Sequence, residues 1–310
     1  MCYTDNESEQ EETALRYLSV AEAAKQWGLS ERSVRNYCAQ GRVDGAFLTG
    51  KTWNIPDSAQ KPDRRGRRAA EPTDLLSRLK AEQKAKLHGG IYHRVQIDLT
   101  YNSNHIEGSR LTEDQTRLIF ETNTIDIGDC VPIDDILETV HHFRTIDYVI
   151  DTAEDALTEE IIKTLHYILK HDTQDSTLSW FAVGDYKRRA NMVGGRETTK
   201  PKDVPSQMKK LLDDYNARES VSIEDVIALH AEFEYIHPFQ DGNGRVGRLV
   251  ALKECLHHNI IPFLIEDSKK LFYYRGIAEW RTEKGWLIDT CLDGQDSMIR
   301  LLDMLEIQHS

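Results

Sequence analysis

The stretch His237-Pro238-Phe239-Gln240-Asp241-Gly242-Asn243-Gly244-Arg245-Val246-Gly247-Arg248 brings a histidine, a carboxylate, three glycines, an asparagine and two arginines into twelve residues. Each residue type has a chemical use there. A histidine, with its unperturbed pKa of about 6.5, suits proton removal near neutrality. Closely spaced glycines let backbone N–H groups approach an anion with no Cβ in the way. Arg245 and Arg248, three apart, share one side of a following helix, and each can fork onto phosphate oxygens. Asp241 is a hard oxygen ligand suited to Mg2+, the ion that phosphates usually bring. From these residues alone, the stretch reads as a cradle for nucleotide phosphates with a general base at its entrance.

The flanking pattern sets the cradle on two helices. Val226, Leu229, His230 and Phe233 recur at helical spacing and form the inward face of a helix over 223–236. Pro238 disfavours helix in the residue before it, so His237 falls at that helix's C-terminal end and projects into a loop. The next helix, expected over 244–258, begins inside the glycine run and turns its free N–H groups toward the loop, which makes an anion site. From Glu71 onward the periodicity stays helical, with further helices expected over 74–87, 92–106, 112–121, 133–152, 158–169, 204–216, 269–283 and 286–306. One β feature interrupts them: an extended hairpin over 189–200 that contains Met192, Val193, Gly194, Gly195 and Arg196.

Charge divides the chain. The net formal charge is −13, yet residues 13–70 hold 11 Lys+Arg against 5 Asp+Glu. A small basic domain therefore precedes a large acidic one, and a uniformly basic nucleic-acid binder is excluded. The five cysteines are odd in number, scattered and never in C-x-x-C spacing, which argues for free thiols over a disulfide framework or zinc site. No run approaches the ~18 apolar residues of a membrane span, and the acidic start is unlike a signal peptide. The expected location is the cytoplasm, with no membrane partner.

Residues 1–12 read as a disordered acidic tail. In 13–60, Ser19 and Glu22 form a capping box, Gly28 ends the first helix and Ser30 caps a second over 31–39. That second helix carries Arg32, Arg35 and Asn36 outward, a set suited to phosphates and base edges. A β-hairpin wing is expected over 45–55, turning at Thr49-Gly50. The module resembles the winged helix-turn-helix domains of MerR and excisionase type. That resemblance implies DNA binding; protein docking stands beside it as the other reading. Residues 61–73, with Arg64, Arg65, Arg67 and Arg68, form a basic linker, and 74–310 form the main domain.

The opening stretch matches the signature H-x-F-x-(D/E)-G-N-G-R-x-x-R at every fixed position. Over about residues 75–300 the chain resembles bacterial Fic (Fido-fold) proteins, implying a mainly α fold: a helical Fic domain with a β-hairpin flap. The resemblance implies an enzyme that moves AMP from ATP to a Ser, Thr or Tyr hydroxyl of a protein, with Mg2+ on the phosphates. His237 would be the base, and Asp241 would hold the metal. Gly242, Asn243 (its amide and side chain) and Gly244 would form the anion hole, and Arg245 and Arg248 would bind the outer phosphates. Met192, Val193 and Gly194 would form the flap that docks the target strand, with Tyr273 and Tyr274 near the adenine. A protein target is implied, the chain itself among the candidates, as is a homo-oligomer.

A second motif, Ser103-Asn104-His105-Ile106-Glu107-Gly108, resembles the inhibitory pattern (S/T)-x-x-x-E-(G/N) of Fic proteins and lies within a helix expected around 98–108. Ser103 and Glu107 share a helical face, so Glu107 is expected to pair with Arg248 and block productive ATP binding. Removal of AMP, transfer of another nucleotide, and a DNA-binding regulator that senses nucleotide are the competing functions. His141-His142 and His257-His258 point about 100° apart on a helix and are set aside as metal ligands. His230 is read as a packing residue, and Lys187-Arg188-Arg189 as a solvated basic edge.

Overall fold

A computed structural model describes residues 16–39, 41–62, 74–126 and 130–308. The expected acidic tail and the four linker arginines lie outside the described residues. The chain divides into two compact units, Met1–Glu71 and Pro72–Ser310.

In the first unit, β1 (Tyr17–Leu18), α1 (Val20–Trp27), α2 (Glu31–Ala39), β2 (Phe47–Thr49) and β3 (Thr52–Pro56) follow one another. The strands form antiparallel pairs in the order β1-β3-β2. The Ser19–Glu22 capping box is formed, and Gly28 takes the left-handed conformation (φ 65°) that ends α1. Ser30 Oγ accepts from Ser33 N–H at the start of α2. Val20, Ala23, Ala24, Trp27, Val34, Cys38, Val43 and Ile55 make a small core. Arg32, Arg35 and Asn36 are exposed on α2, with Arg35 2.7 Å from Glu31 one turn earlier. Strand β1 was not expected: two residues carry no readable alternation.

The second unit is helical apart from one hairpin. It contains α3 (Leu75–Ala85), α4 (Ile91–Ile106), α5 (Glu113–Thr122), α6 (Ile133–Thr152) and α7 (Glu159–Lys170). Next come β4 (Met192–Val193) and β5 (Arg196–Glu197), then α8 (Val204–Asn216), α9 (Ile223–Ile236), α10 (Asn243–His257), α11 (Lys270–Ala278) and α12 (Gly285–Met304). Helix α10 is the axis, with 13 of its 15 residues buried. It packs against α9, α6, α7 and α4, as expected of a helix enclosed on every side. Its buried charges are all partnered: Lys253, for instance, donates to Asp155 O at 2.6 Å.

The helix expected over 269–283 stops at Ala278. Helical propensity continues past that point, but tertiary packing overrides it. A Cβ on Gly276 would lie 2.7 Å from Leu287 Cα, so α12 folds back onto α11 at backbone contact and the chain between them must turn. Among the described residues, no helix is long and apolar enough to cross a membrane, and Cys38, Cys130, Cys255 and Cys291 are free.

Candidate active site

Helix α9 ends at Ile236 and is capped by His237, which adopts left-handed backbone angles (φ 52°, ψ 63°), with its N–H on Phe233 O at 2.8 Å. A non-glycine residue there is uncommon; the turn swings the imidazole out of the helix. The loop that follows is held from inside. Asn243 Oδ1 accepts from Phe239 N–H (2.8 Å), and Asn243 Nδ2 donates to Phe239 O (2.9 Å). This corrects one expectation: the Asn243 side chain is committed to the loop, leaving only its amide for an anion. The Phe239 ring is fully buried and stacks on His166 at 4.0 Å. Gly242 (φ 78°) then starts α10, where the first-turn N–H groups have no carbonyl within the helix.

A cavity of about 620 Å³ opens at this junction. Of the residues singled out from sequence, Glu107, Met192, Val193, Gly194, His237, Gly244, Arg248, Tyr273 and Tyr274 line it; Arg196 and Glu234 join them. The volume lies in the range of small-molecule sites.

Arg248 is the most heavily engaged group, its side chain only 5% exposed. Its Nε donates to Ser103 Oγ (3.0 Å) and its Nη2 to Ser103 O (3.0 Å) and Glu107 Oε1 (2.8 Å). Nη1 donates to Tyr273 Oη at 3.3 Å. Burial pulls the Arg248 pKa down, but the Tyr273 and Glu107 oxygens outweigh it, so the pKa is raised and the guanidinium stays charged. The same Glu107 oxygen would lie 2.2 Å from a Cβ placed on Gly244. A carboxylate therefore rests against the N-terminal turn of α10, where an anion is favoured. Glu107 caps α4, and Gly108, at φ 100°, turns the chain away. Tyr274 Oη donates to Ile106 O (3.0 Å), fastening the end of α4 to α11.

Behind His237 stands Glu234, one turn earlier on α9. Its Oε2 lies 3.7 Å from His237 Nδ1. Burial would raise its pKa, but His237, His230 and Arg248 prevail, and it is held below the usual carboxylate value. With Nδ1 toward Glu234, Nε2 is the His237 nitrogen available for proton transfer. His230 is a buried packing residue 2.7 Å from Tyr273 Oη, and burial lowers its pKa to about 4.

Asp241 belongs to a charged cluster. Lys170 Nζ lies 2.7 Å from Asp241, 2.5 Å from Glu138 and 3.1 Å from Asp175. Arg245 pairs with Glu138 and, at 3.5 Å, with Asp241. Here the structure again corrects the sequence reading: Arg245 is turned onto these carboxylates and does not line the cavity, because Glu138 of α6 draws its guanidinium away. Burial opposes ionisation of Asp241, yet Arg245 and Lys170 hold its pKa well below the usual range. A carboxylate favoured in its ionised form, with a 52% exposed side chain, fits Mg2+, which takes one or two carboxylates and keeps waters and phosphate oxygens. No group of three or more His, Cys, Asp or Glu that could hold a metal occurs among the described residues.

Lys187 differs most from expectation. The sequence places it in a solvated basic edge, but it is 2% exposed, and of the three cations Arg188 and Arg189 face solvent. Glu234 was visible in the sequence, three residues before His237 on the same helix. Lys170 and Glu138 carried no signal, since folding alone brings α6 and α7 to Asp241.

Fold and site together define a helical domain whose central helix begins at the wall of a cavity. Residues 156–255 match the model of the Fic/DOC family. The chain is similar to the protein adenylyltransferase Fic of Drosophila willistoni, 29% identical over 178 residues, which are 56% of this chain and 34% of that protein. The Nematostella vectensis protein of the same name is 26% identical over 184 residues, 56% of this chain and 40% of its own length. The chain thus spans well under half of these relatives. Among solved structures, a Fic domain-containing signaling protein from Bacteroides thetaiotaomicron superimposes with TM-score 0.59 at 24% identity, covering 74% of this chain and 94% of that one. Fic-1 (residues 134–508) from C. elegans gives 0.58 at 20% identity, covering 74% and 69%.

Proposed function

We propose that the protein transfers AMP from ATP to a hydroxyl group of a protein target and rests in an autoinhibited state. The observation that carries this reading is one cavity in which His237 faces the anion-binding start of α10 beneath a β-hairpin edge. In the reaction, His237 Nε2 takes the proton of the target hydroxyl. The hydroxyl oxygen attacks the α-phosphorus, a new P–O bond forms, and the bond to the departing pyrophosphate breaks. The amides of Gly242, Asn243 and Gly244 hold phosphate oxygens without reorganising, and Asp241 would hold Mg2+, which neutralises phosphate charge when bound. Arg248 would meet the γ-phosphate once released by Glu107. The hairpin edge of Met192 and Val193 accepts the target backbone as an added strand. General-base assistance contributes typically about 10²–10⁴-fold, so His237→Ala removes transfer and leaves ATP binding intact.

Glu107 also favours a second reading. Its carboxylate lines the cavity and can orient a water, so the same site can hydrolyse AMP from a modified protein. For the N-terminal unit, the exposed Arg32, Arg35 and Asn36 support contact with DNA phosphates and base edges.

Mass spectrometry of lysate proteins, and of the protein itself, after incubation of Glu107→Gly with ATP and Mg2+ tests the proposal, with Glu107→Gly/His237→Ala as control. AMP adducts that require His237 are expected. Absence of adducts in both samples overturns the transferase reading, and loss of AMP from a pre-modified target by the unaltered protein favours the hydrolytic one.

A further inference from the structure

Each strand of the hairpin beside the cavity is two residues long, and an isolated two-stranded hairpin is marginal in water. Its attachment lies at the end of α9. That helix stops at Ile236, leaving last-turn carbonyls with no N–H partner in the helix. Two cations from the hairpin region fill them. Arg196 of β5 donates to Tyr235 O (3.3 Å) and Glu234 O (3.5 Å), and its guanidinium lies 4.1 Å from the Tyr235 ring centroid. Lys187, at the hairpin's root, donates to Ile236 O (3.5 Å), Asn191 Oδ1 (2.7 Å) and Thr198 Oγ1 (2.5 Å). A helix C-terminus favours cations in these positions.

The attachment continues past the helix. Lys187 N–H donates to Pro238 O at 2.9 Å, and Asn191 Nδ2 to Phe239 O at 3.2 Å. Both arms of the hairpin are therefore fastened to the residues on either side of His237. Lys187 forms no ion pair with a carboxylate among the described residues. A buried ammonium held by neutral oxygens is an expensive arrangement, and burial with Arg196 nearby pushes its pKa down to about 8.

We propose that Lys187 and Arg196 are positioning residues: they tie the hairpin edge to the end of α9, so that a backbone docked on the edge meets His237 at a fixed distance. What is positioned rests on the transferase reading; the attachment itself does not. The test uses the full chain carrying Glu107→Gly as parent, compared with the same chain bearing Lys187→Met or Arg196→Gln. Three quantities are measured: amide hydrogen exchange over 191–198, MgATP affinity, and AMP incorporation into the lysate proteins that the parent modifies. The expected result is exchange at least tenfold faster and incorporation at least tenfold lower, with the MgATP affinity of the Lys187→Met chain within twofold of the parent. Exchange and incorporation both within twofold of the parent overturn the proposal, as does a loss of MgATP affinity that accounts for the whole loss of incorporation. A silent parent counts against the transferase reading, and exchange alone then decides the attachment. Should Lys187→Met fail to fold, the half-buried Arg196 carries the test.

Discussion

Replacing Glu107 with glycine removes the carboxylate that occupies both Arg248 and the first turn of α10. Two unit charges 2.8 Å apart attract by about 6 kcal/mol at an effective dielectric constant near 20. Glu107 is 29% exposed, so solvent screening and desolvation reduce the net contribution to about 2–3 kcal/mol, at the lower edge of what breaking a buried pair produces. Arg248 keeps its bonds to Ser103 and Tyr273, so its guanidinium remains placed in the cavity. If the pair holds the site in a form that cannot bind ATP productively, releasing it raises the competent fraction by the same free energy. At 1.36 kcal/mol per decade, transfer should rise about 30- to 160-fold. The assay is AMP incorporation at saturating ATP and Mg2+, with a thermal melt to show that the variant is folded. A folded Glu107→Gly protein whose incorporation stays within threefold of the unaltered chain refutes the reasoning.

Two further outcomes follow from the same geometry. The Lys187 pKa is lowered from 10.5 to about 8, so between those values the unfolded chain binds more protons than the folded one and stability rises with pH. The penalty is fully present below about pH 8 and lifts by about 3 kcal/mol at most as pH approaches 10.5; Lys187→Met should flatten that rise in denaturant melts, and identical pH slopes for the two proteins would show the burial argument to be wrong. On the N-terminal unit, Arg32→Ala and Arg35→Ala should each reduce the slope of log binding constant against log salt by about 1 if they meet DNA phosphates; a shift assay on genomic fragments across a salt series measures this, and unchanged slopes remove both residues from the interface.

The geometry around His237 was legible because everything that makes it is local. A proline after the histidine, glycines at the turn and a helical period on each side specify helix, loop and helix within about 30 residues, and the structure forms them as α9 and α10. The motif at Ser103–Glu107 also located the partner of Arg248, 141 positions away in the chain. Spacing could not show the direction of side chains with a choice of partners. Arg245 and Arg248 look equivalent in sequence, but Glu138 claims the first and Glu107 the second. Lys187 sits in a run of three cations that reads as solvent-facing, and the oxygens of Asn191, Thr198 and Ile236 that receive its ammonium explain why one of them is buried. The same holds for Asn243, whose side chain finds its acceptor and donor on Phe239 before any ligand arrives.

If the hairpin docks a target backbone as proposed, its shortness has a consequence for target choice. A strand of two residues offers a docking backbone only a couple of ladder bonds, each contributing on the order of 1 kcal/mol net. Contacts of that strength alone correspond to dissociation constants in the millimolar range or weaker. They are made to backbone atoms, which every protein presents alike, so the edge aligns a segment without selecting it. Selection must then come from local concentration: a second attachment, or membership of the same chain or assembly, raises the effective concentration of a hydroxyl at the cavity mouth. On this view the hairpin is a guide rail, and the choice of substrate is made by whatever delivers it there.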